Sequence, residues 1–124
     1  MPNISQFGSA IARDWDTYSD VRIKTNITSL KNGLSLINQL NPVTYYQHDT
    51  EQSQDGFEIL ESGKESIGLL AQEVYAVLPA LVNKPIDDDK ELWSMNYEKI
   101  ISVLIKAVQE LSEEVEILKA QLKE

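Results

Sequence analysis

Apolar residues recur with helical spacing towards the end of the chain. Ile101, Leu104, Val108, Leu111, Val115, Leu118 and Leu122 are separated by alternating steps of 3 and 4. This is a heptad seam, with Ile101, Val108, Val115 and Leu122 at a and Leu104, Leu111 and Leu118 at d. Tyr97 extends the d row backwards, and no Gly or Pro interrupts residues 86–124. The pattern therefore predicts one long helix over 97–124, in two unlike halves. Between Ile100 and Val108 the off-seam residues Val103, Ile105 and Ala107 are also apolar, and a helix apolar nearly all round is buried nearly all round. Beyond Gln109 the off-seam positions become Glu, Ser, Lys and Gln, with Ile117 the main exception. The first half is expected inside a globular body and the second half projecting as a coiled coil. Valine or isoleucine at a with leucine at d leans towards two strands. Glu114 at g and Lys119 at the next e have the offset for a parallel interchain ion pair.

Upstream, Leu30, Leu34, Ile37 and Leu40 have helical spacing. Thr28 or Ser29 can cap a helix over about 29–40, and Asn41-Pro42 ends it. Val43 to Tyr46 reads as a strand, and 48–56, HDTEQSQDG, as a polar hairpin tip or loop. Phe57 to Leu60 and Ser66 to Leu69 read as strands parted by a turn at Glu61 to Lys64. Leu70 to Leu78 is a short helix stopped by Pro79. Hairpins and helices without a βαβ rhythm give an α+β class. Residues 1–18 are small, polar and weakly patterned, with Trp15 as their main anchor.

Composition narrows the field. The chain has 124 residues, one domain's worth. Lys plus Arg is 11 against 20 for Asp plus Glu, a net charge of −9. The acid is concentrated: residues 48–97 hold 11 acidic and 3 basic side chains, while 1–47 hold 3 and 4. That argues against direct binding to a nucleic-acid backbone, which needs a basic footprint. With no cysteine, a disulfide scaffold, a thiol nucleophile and a cysteine-built zinc site are excluded. No apolar run reaches the length of a membrane span, so no membrane partner is expected.

The chemistry-bearing stretch is Ser19-Asp20-Val21-Arg22-Ile23-Lys24-Thr25-Asn26-Ile27. A serine hydroxyl becomes a nucleophile only when a base takes its proton. Lysine can be that base once its ammonium is deprotonated, which burial or a neighbouring cation such as Arg22 favours. From spacing alone, an exposed charged strand entry is the commoner reading. In an extended strand Asp20, Arg22 and Lys24 share one face and Ser19 faces the other way. Ser19 and Lys24 therefore meet only if the backbone turns sharply between them or the lysine comes from a neighbouring subunit.

Several ordered motifs carry a resemblance. Ser19-Asp20-x-Arg22-x-Lys24 with Asn26-Ile27 resembles the opening of the endosialidase-type intramolecular chaperone domain, the peptidase S74 family found at the C-termini of phage tail fibres, tailspikes and neck appendages. Leu40-Asn41-Pro42-x-x-Tyr45 resembles its L-x-P-x-x-Y stretch, and Gly68-Leu69-Leu70-Ala71-Gln72-Glu73-Val74 its G-x-x-A-Q-E-V motif. Pro79, Leu81-Val82, Tyr97 and Ala107-Val108-Gln109-Glu110-Leu111 follow in order. The resemblance covers residues 15–124.

It implies a homotrimer, with the seam residues Ile101 to Leu122 as a three-stranded coiled coil. It implies that residues 1–18 end a preceding shaft and that 19–124 are a chaperone that nucleates it. It further implies self-cleavage between Tyr18 and Ser19, a single-turnover serine autoprotease with no external substrate. Ser19 is then the nucleophile, Lys24 the base, and Asp20 and Arg22 supporting residues. Assembly is expected in the host cytoplasm, with the shaft on the virion and the chaperone released. The alternative is a permanent trimerisation module of the same fold that does not cleave. No cofactor and no metal is expected. His48, the only histidine, is either a solvated loop residue or a distant assistant to the serine. Asp87-Asp88-Asp89 reads as a solvated acidic turn without EF-hand spacing. Trp15, Trp93, Tyr45 and Tyr46 are read as core or trimer contacts.

Overall fold

The computed structural model describes residues 17–123. The class is α+β: two antiparallel two-stranded sheets, short helices and one long helix. In chain order the elements are a 3-10 turn η1 (Val21–Ile23), α1 (Gly33–Ile37), β1 (Val43–Ser53), β2 (Gly56–Gly68) and α2 (Ala71–Val77). They continue with η2 (Pro79–Leu81), β3 (Val82–Asn83), β4 (Ser94–Met95) and α3 (Tyr97–Leu122).

Strands β1 and β2 form one long hairpin, from Val43 opposite Gly68 to Ser53 opposite Gly56. The pattern makes 48–56 a polar hairpin tip or loop and places a turn at Glu61 to Lys64; the tip does lie in the first stretch, but 48–53 are strand, and 61–64 are strand throughout. The turn is only Gln54-Asp55, followed by Gly56 at φ 153°, a conformation that favours glycine. The ladder is interrupted once: His48 pairs with Gly63, and Thr50 pairs with Ile59. Leu60, Glu61 and Ser62 thus oppose Asp49 alone, a bulge where a turn had been expected. Every residue from Gln47 to Ser53 is exposed, so no apolar alternation marks them as strand.

The core is small. Val74 is 1% exposed and packs with Leu81 and Val82. Leu40, Leu69, Ala71, Leu78, Trp93, Met95 and Ile100 close around them. Pro79, which cannot extend α2, starts η2 instead. This tight reversal leads into β3, which pairs with β4 (Val82 with Met95, Asn83 with Ser94). Trp93 meets the Tyr75 ring edge-on at 5.5 Å, with Lys84 Nζ 5.2 Å from the Tyr75 centroid.

Asn96 caps α3, its Oδ1 accepting from the Glu98 N–H at 3.0 Å. The helix is 26 residues long, about 39 Å at 1.5 Å per residue. Its face against the body is Ile100, Val103, Ala107 and Glu110, of which Val103 and Ala107 are buried. The expected all-round burial of the first half is absent in a single chain: Ile101, Leu104, Ile105 and Val108 are exposed.

Helix α1 lies against α3. It is far shorter than the 29–40 helix the spacing predicts, because Asn32 adopts a left-handed φ of 62° and its side chain caps nothing. Neither Thr28 nor Ser29 lies in or next to a helix. The cap arrives from across the fold: the Leu34 N–H donates to Glu110 Oε1 at 2.9 Å. Gly33 is buried beneath it. A Cβ there would lie 2.8 Å from Ala107 N, 2.8 Å from Lys106 Cβ and 2.9 Å from Val103 O. Only glycine lets the two backbones approach this closely.

Candidate functional site

The segment from Ser19 to Lys24 folds on itself. Asp20 caps η1, its Oδ1 accepting the Arg22 backbone N–H at 2.9 Å. The Arg22 side chain returns to the same carboxylate, with Nε 3.1 Å from Oδ1 and Nη2 2.7 Å from Oδ2. The Ile23 N–H donates to the Asp20 carbonyl at 3.1 Å, and the Lys24 N–H to the Val21 carbonyl at 3.1 Å. One tight turn therefore separates Ser19 from Lys24. It brings Lys24 Nζ to 2.6 Å from Ser19 Oγ. Of the two ways the sequence left open for these residues to meet, a sharp turn within one chain is the one this geometry adopts.

Arg22 holds the Asp20 carboxyl below the usual carboxylate range, first through its guanidinium and then through its backbone N–H. In return Asp20 raises the Arg22 guanidinium above its ordinary value. The pair is exposed, so its main contribution is orientation rather than energy. The charge of Arg22 is directed at Asp20 and not at Lys24.

Chemically, the hydroxyl and amine are in proton-transfer contact. The lysine donates and the hydroxyl accepts. General-base action needs the reverse, with a free amine lone pair on the hydroxyl proton. Lys24 is exposed in the single chain, so desolvation that would favour the free amine must come from outside it. Tyr18, 96% exposed, leaves the Tyr18–Ser19 peptide open to solvent.

The second candidate region is the α3 seam. All seven residues from Ile101 to Leu122 are between 41% and 85% exposed. Among the described residues five apolar side chains are buried and twenty-two large ones are exposed, so one chain leaves much of its apolar surface uncovered. Lys119, expected to pair with Glu114 of another chain, sits 3.5 Å from Glu116 of its own. Residues 1–16, including Trp15, lie outside the described residues.

His48 is on a strand and not in a loop. Its Nδ1 is 2.7 Å from the Leu60 carbonyl at the bulge, and its ring stands edge-on to Tyr46 at 5.0 Å. Neither partner belongs to the Ser19 segment. Among the described residues no group of His, Asp or Glu is arranged to hold a metal ion, and no helix is long and apolar enough to cross a membrane. An open cleft of about 640 Å³ lies between the hairpin base and the α2 and β4 region, lined by Tyr45, Gln72, Trp93 and Tyr97 among others. The contacts of Gly33 and Glu110 were not legible beforehand. The only signals were a glycine inside a helical pattern and an acidic residue on the inward side of α3.

Comparison with known proteins places these features. The family Peptidase_S74, the chaperone of endosialidase, matches residues 19–83, just over half the chain, and its match opens on Ser19. The chain is 36% identical, over 98% of its length, to the long tail fiber protein Gp37 of Salmonella phage S16, and covers 16% of that protein. It is 31% identical to the Gp37 proteins of Enterobacteria phage M1 and Escherichia phage AR1, covering 39% and 9% of them. The chain thus spans well under half of these relatives. A motif order running through the whole described fold, with a family match over residues 19–83, establishes that this chain belongs to the chaperone of endosialidase family, peptidase S74.

Proposed function

We propose that this chain is the intramolecular chaperone of a phage tail fibre protein, which trimerises its shaft and is then released by self-cleavage between Tyr18 and Ser19. One observation carries the cleavage: Lys24 Nζ stands 2.6 Å from Ser19 Oγ. That the family match opens on Ser19 supports a boundary there, with residues 1–18 as the end of the shaft. The tail-fibre relatives support a virion component assembled in the host.

The reaction is intramolecular and happens once. Lys24 takes the Ser19 hydroxyl proton as Oγ bonds to the Tyr18 carbonyl carbon. The Tyr18–Ser19 C–N bond breaks, and the departing nitrogen takes the proton back from Lys24. Water then hydrolyses the Tyr18–Ser19 ester, leaving a Tyr18 carboxylate and a free Ser19 hydroxyl. Asp20 and Arg22 hold the turn that makes the contact.

The exposed heptad seam supports the assembly role. Interlocking three shaft strands is dominated by loop closure between distant residues. Joining three α3 helices raises the effective concentration of those strands for one another. Three chains rather than two is the reading that the resemblance to the family supports. On this reading neighbouring copies cover Lys24 once docked, which ties cleavage to assembly. The exposure of Lys24 favours one alternative, a permanent trimerisation module that never cleaves.

Intact-mass measurement of the chain with its native shaft attached separates the two. Loss of the shaft at Tyr18–Ser19 in the wild type, blocked by Ser19→Ala and by Lys24→Ala, is the expected result. A wild type that stays whole after trimer formation points to the permanent module. Light scattering distinguishes three chains from two.

A further inference from the structure

No residue from Thr17 through Asn32 is buried; Gly33 is the first. The turn carrying Ser19 and Lys24 is therefore locally ordered, but it is attached to the body where α1 docks on α3. That dock has two parts: Gly33 seated on the backbone of Val103 and Ala107, and Glu110 accepting the Leu34 N–H at 2.9 Å. A five-residue helix has no stability of its own, and Asn32 supplies no side-chain cap. Glu110 fills that role with a carboxylate, in the charge-assisted form that is strongest. It stands on the same turn of α3 as the seam residues Val108 and Leu111. One turn of helix thus faces the seam on one side and the root of the Ser19 segment on the other.

We propose that Glu110 is a positioning residue for self-cleavage: by clamping α1 to α3 it anchors the root of the arm that carries the Ser19–Lys24 turn, and so sets where that turn can reach relative to the assembled seam. It rests on the cleavage reading above. Glu110 touches neither Ser19 nor Lys24; it acts through α1. Without the clamp, α1 frays, the segment pivots, and the turn is presented to neighbouring copies only part of the time.

The test uses the chain with its native shaft attached, as wild type, Glu110→Ala and Glu110→Gln. Three quantities are followed: the rate of shaft release by intact mass, the oligomer mass by light scattering, and amide hydrogen exchange of Leu34 to Ile37 against Val103 to Ala107. Loss of a charge-assisted hydrogen bond is worth about tenfold in a population. Glu110→Ala is expected to slow release about tenfold and to speed exchange in α1 about tenfold. The oligomer mass and the exchange of Val103 to Ala107 stay unchanged. Glu110→Gln keeps an acceptor oxygen and restores most of both. Release of Glu110→Ala at the wild-type rate overturns the proposal while leaving cleavage intact. So does slow release that glutamine fails to rescue, or that tracks a loss of oligomer mass. A wild type that never releases its shaft refutes the cleavage reading itself, and the positioning role falls with it.

Discussion

Replacing Gly33 by alanine sets two effects of opposite sign against each other. In an isolated helix alanine is better than glycine by about 1 kcal/mol. Here the new Cβ meets Ala107 N and Lys106 Cβ at 2.8 Å and Val103 O at 2.9 Å, all closer than carbon atoms tolerate. Two of these three atoms are backbone, so no side-chain rotation relieves the clash and α1 must lift away as a unit. Overpacking of this kind costs about 1–3 kcal/mol. Lifting also stretches the Leu34 to Glu110 hydrogen bond, at about another 1 kcal/mol. The net expectation for Gly33→Ala is about 2 kcal/mol of destabilisation, or a melting temperature about 8 °C lower for a domain of this size. The assay is thermal unfolding followed by circular dichroism, at one protein concentration because association shifts the midpoint. Gly68→Ala is the internal control. Its Cβ would meet the Tyr45 and Tyr97 hydroxyls at 2.5 and 2.9 Å, side-chain tips that can swing aside, so its loss is smaller. A Gly33→Ala protein that melts at or above the wild-type temperature would refute the close α1–α3 seat.

Three other outcomes are expected. Asp20 has its carboxyl lowered by Arg22, so its support of the turn is complete above the free-aspartate value of about 3.9 and is lost as pH falls through the lower folded value. Carboxyl NMR titration of the Ser19→Ala chain should place the Asp20 midpoint below about 3.9, with an added Arg22→Ala raising it part of the way back, because the backbone N–H at position 22 still donates to the carboxylate; an unshifted midpoint with Arg22 in place contradicts the turn. Leu111→Asp puts a charge in the seam at about 3 kcal/mol per chain and should reduce the oligomer to single chains by light scattering, whereas Glu113→Ala, off the seam, should not. Tyr97→Phe removes the acceptor of the Leu69 N–H, 3.3 Å away, and should cost about 1 kcal/mol in urea unfolding; no change would mean that water replaces the hydroxyl.

Elements whose signal is local are legible in the residues alone. The 3-4 spacing from Ile101 to Leu122 marks α3, because helical periodicity needs only the chain's own neighbours to be read. Pro79 stops α2 for steric reasons confined to adjacent residues, whereas α1 already ends at Ile37, ahead of Asn41-Pro42. Ser19 and Lys24 stood out as residue types, and the ordered motifs set them at the head of a family domain. The remaining features depend on partners far along the chain. The arm from Gln47 to Ser53 is strand because β2 hydrogen-bonds to it, although none of its side chains is buried. The 29–40 pattern was cut to Gly33–Ile37 because Glu110, seventy-six positions away, and the surface of α3 fix where α1 begins. The meeting of Ser19 with Lys24 turned on φ and ψ over three residues, since the same letters laid out as a strand would have pointed them apart.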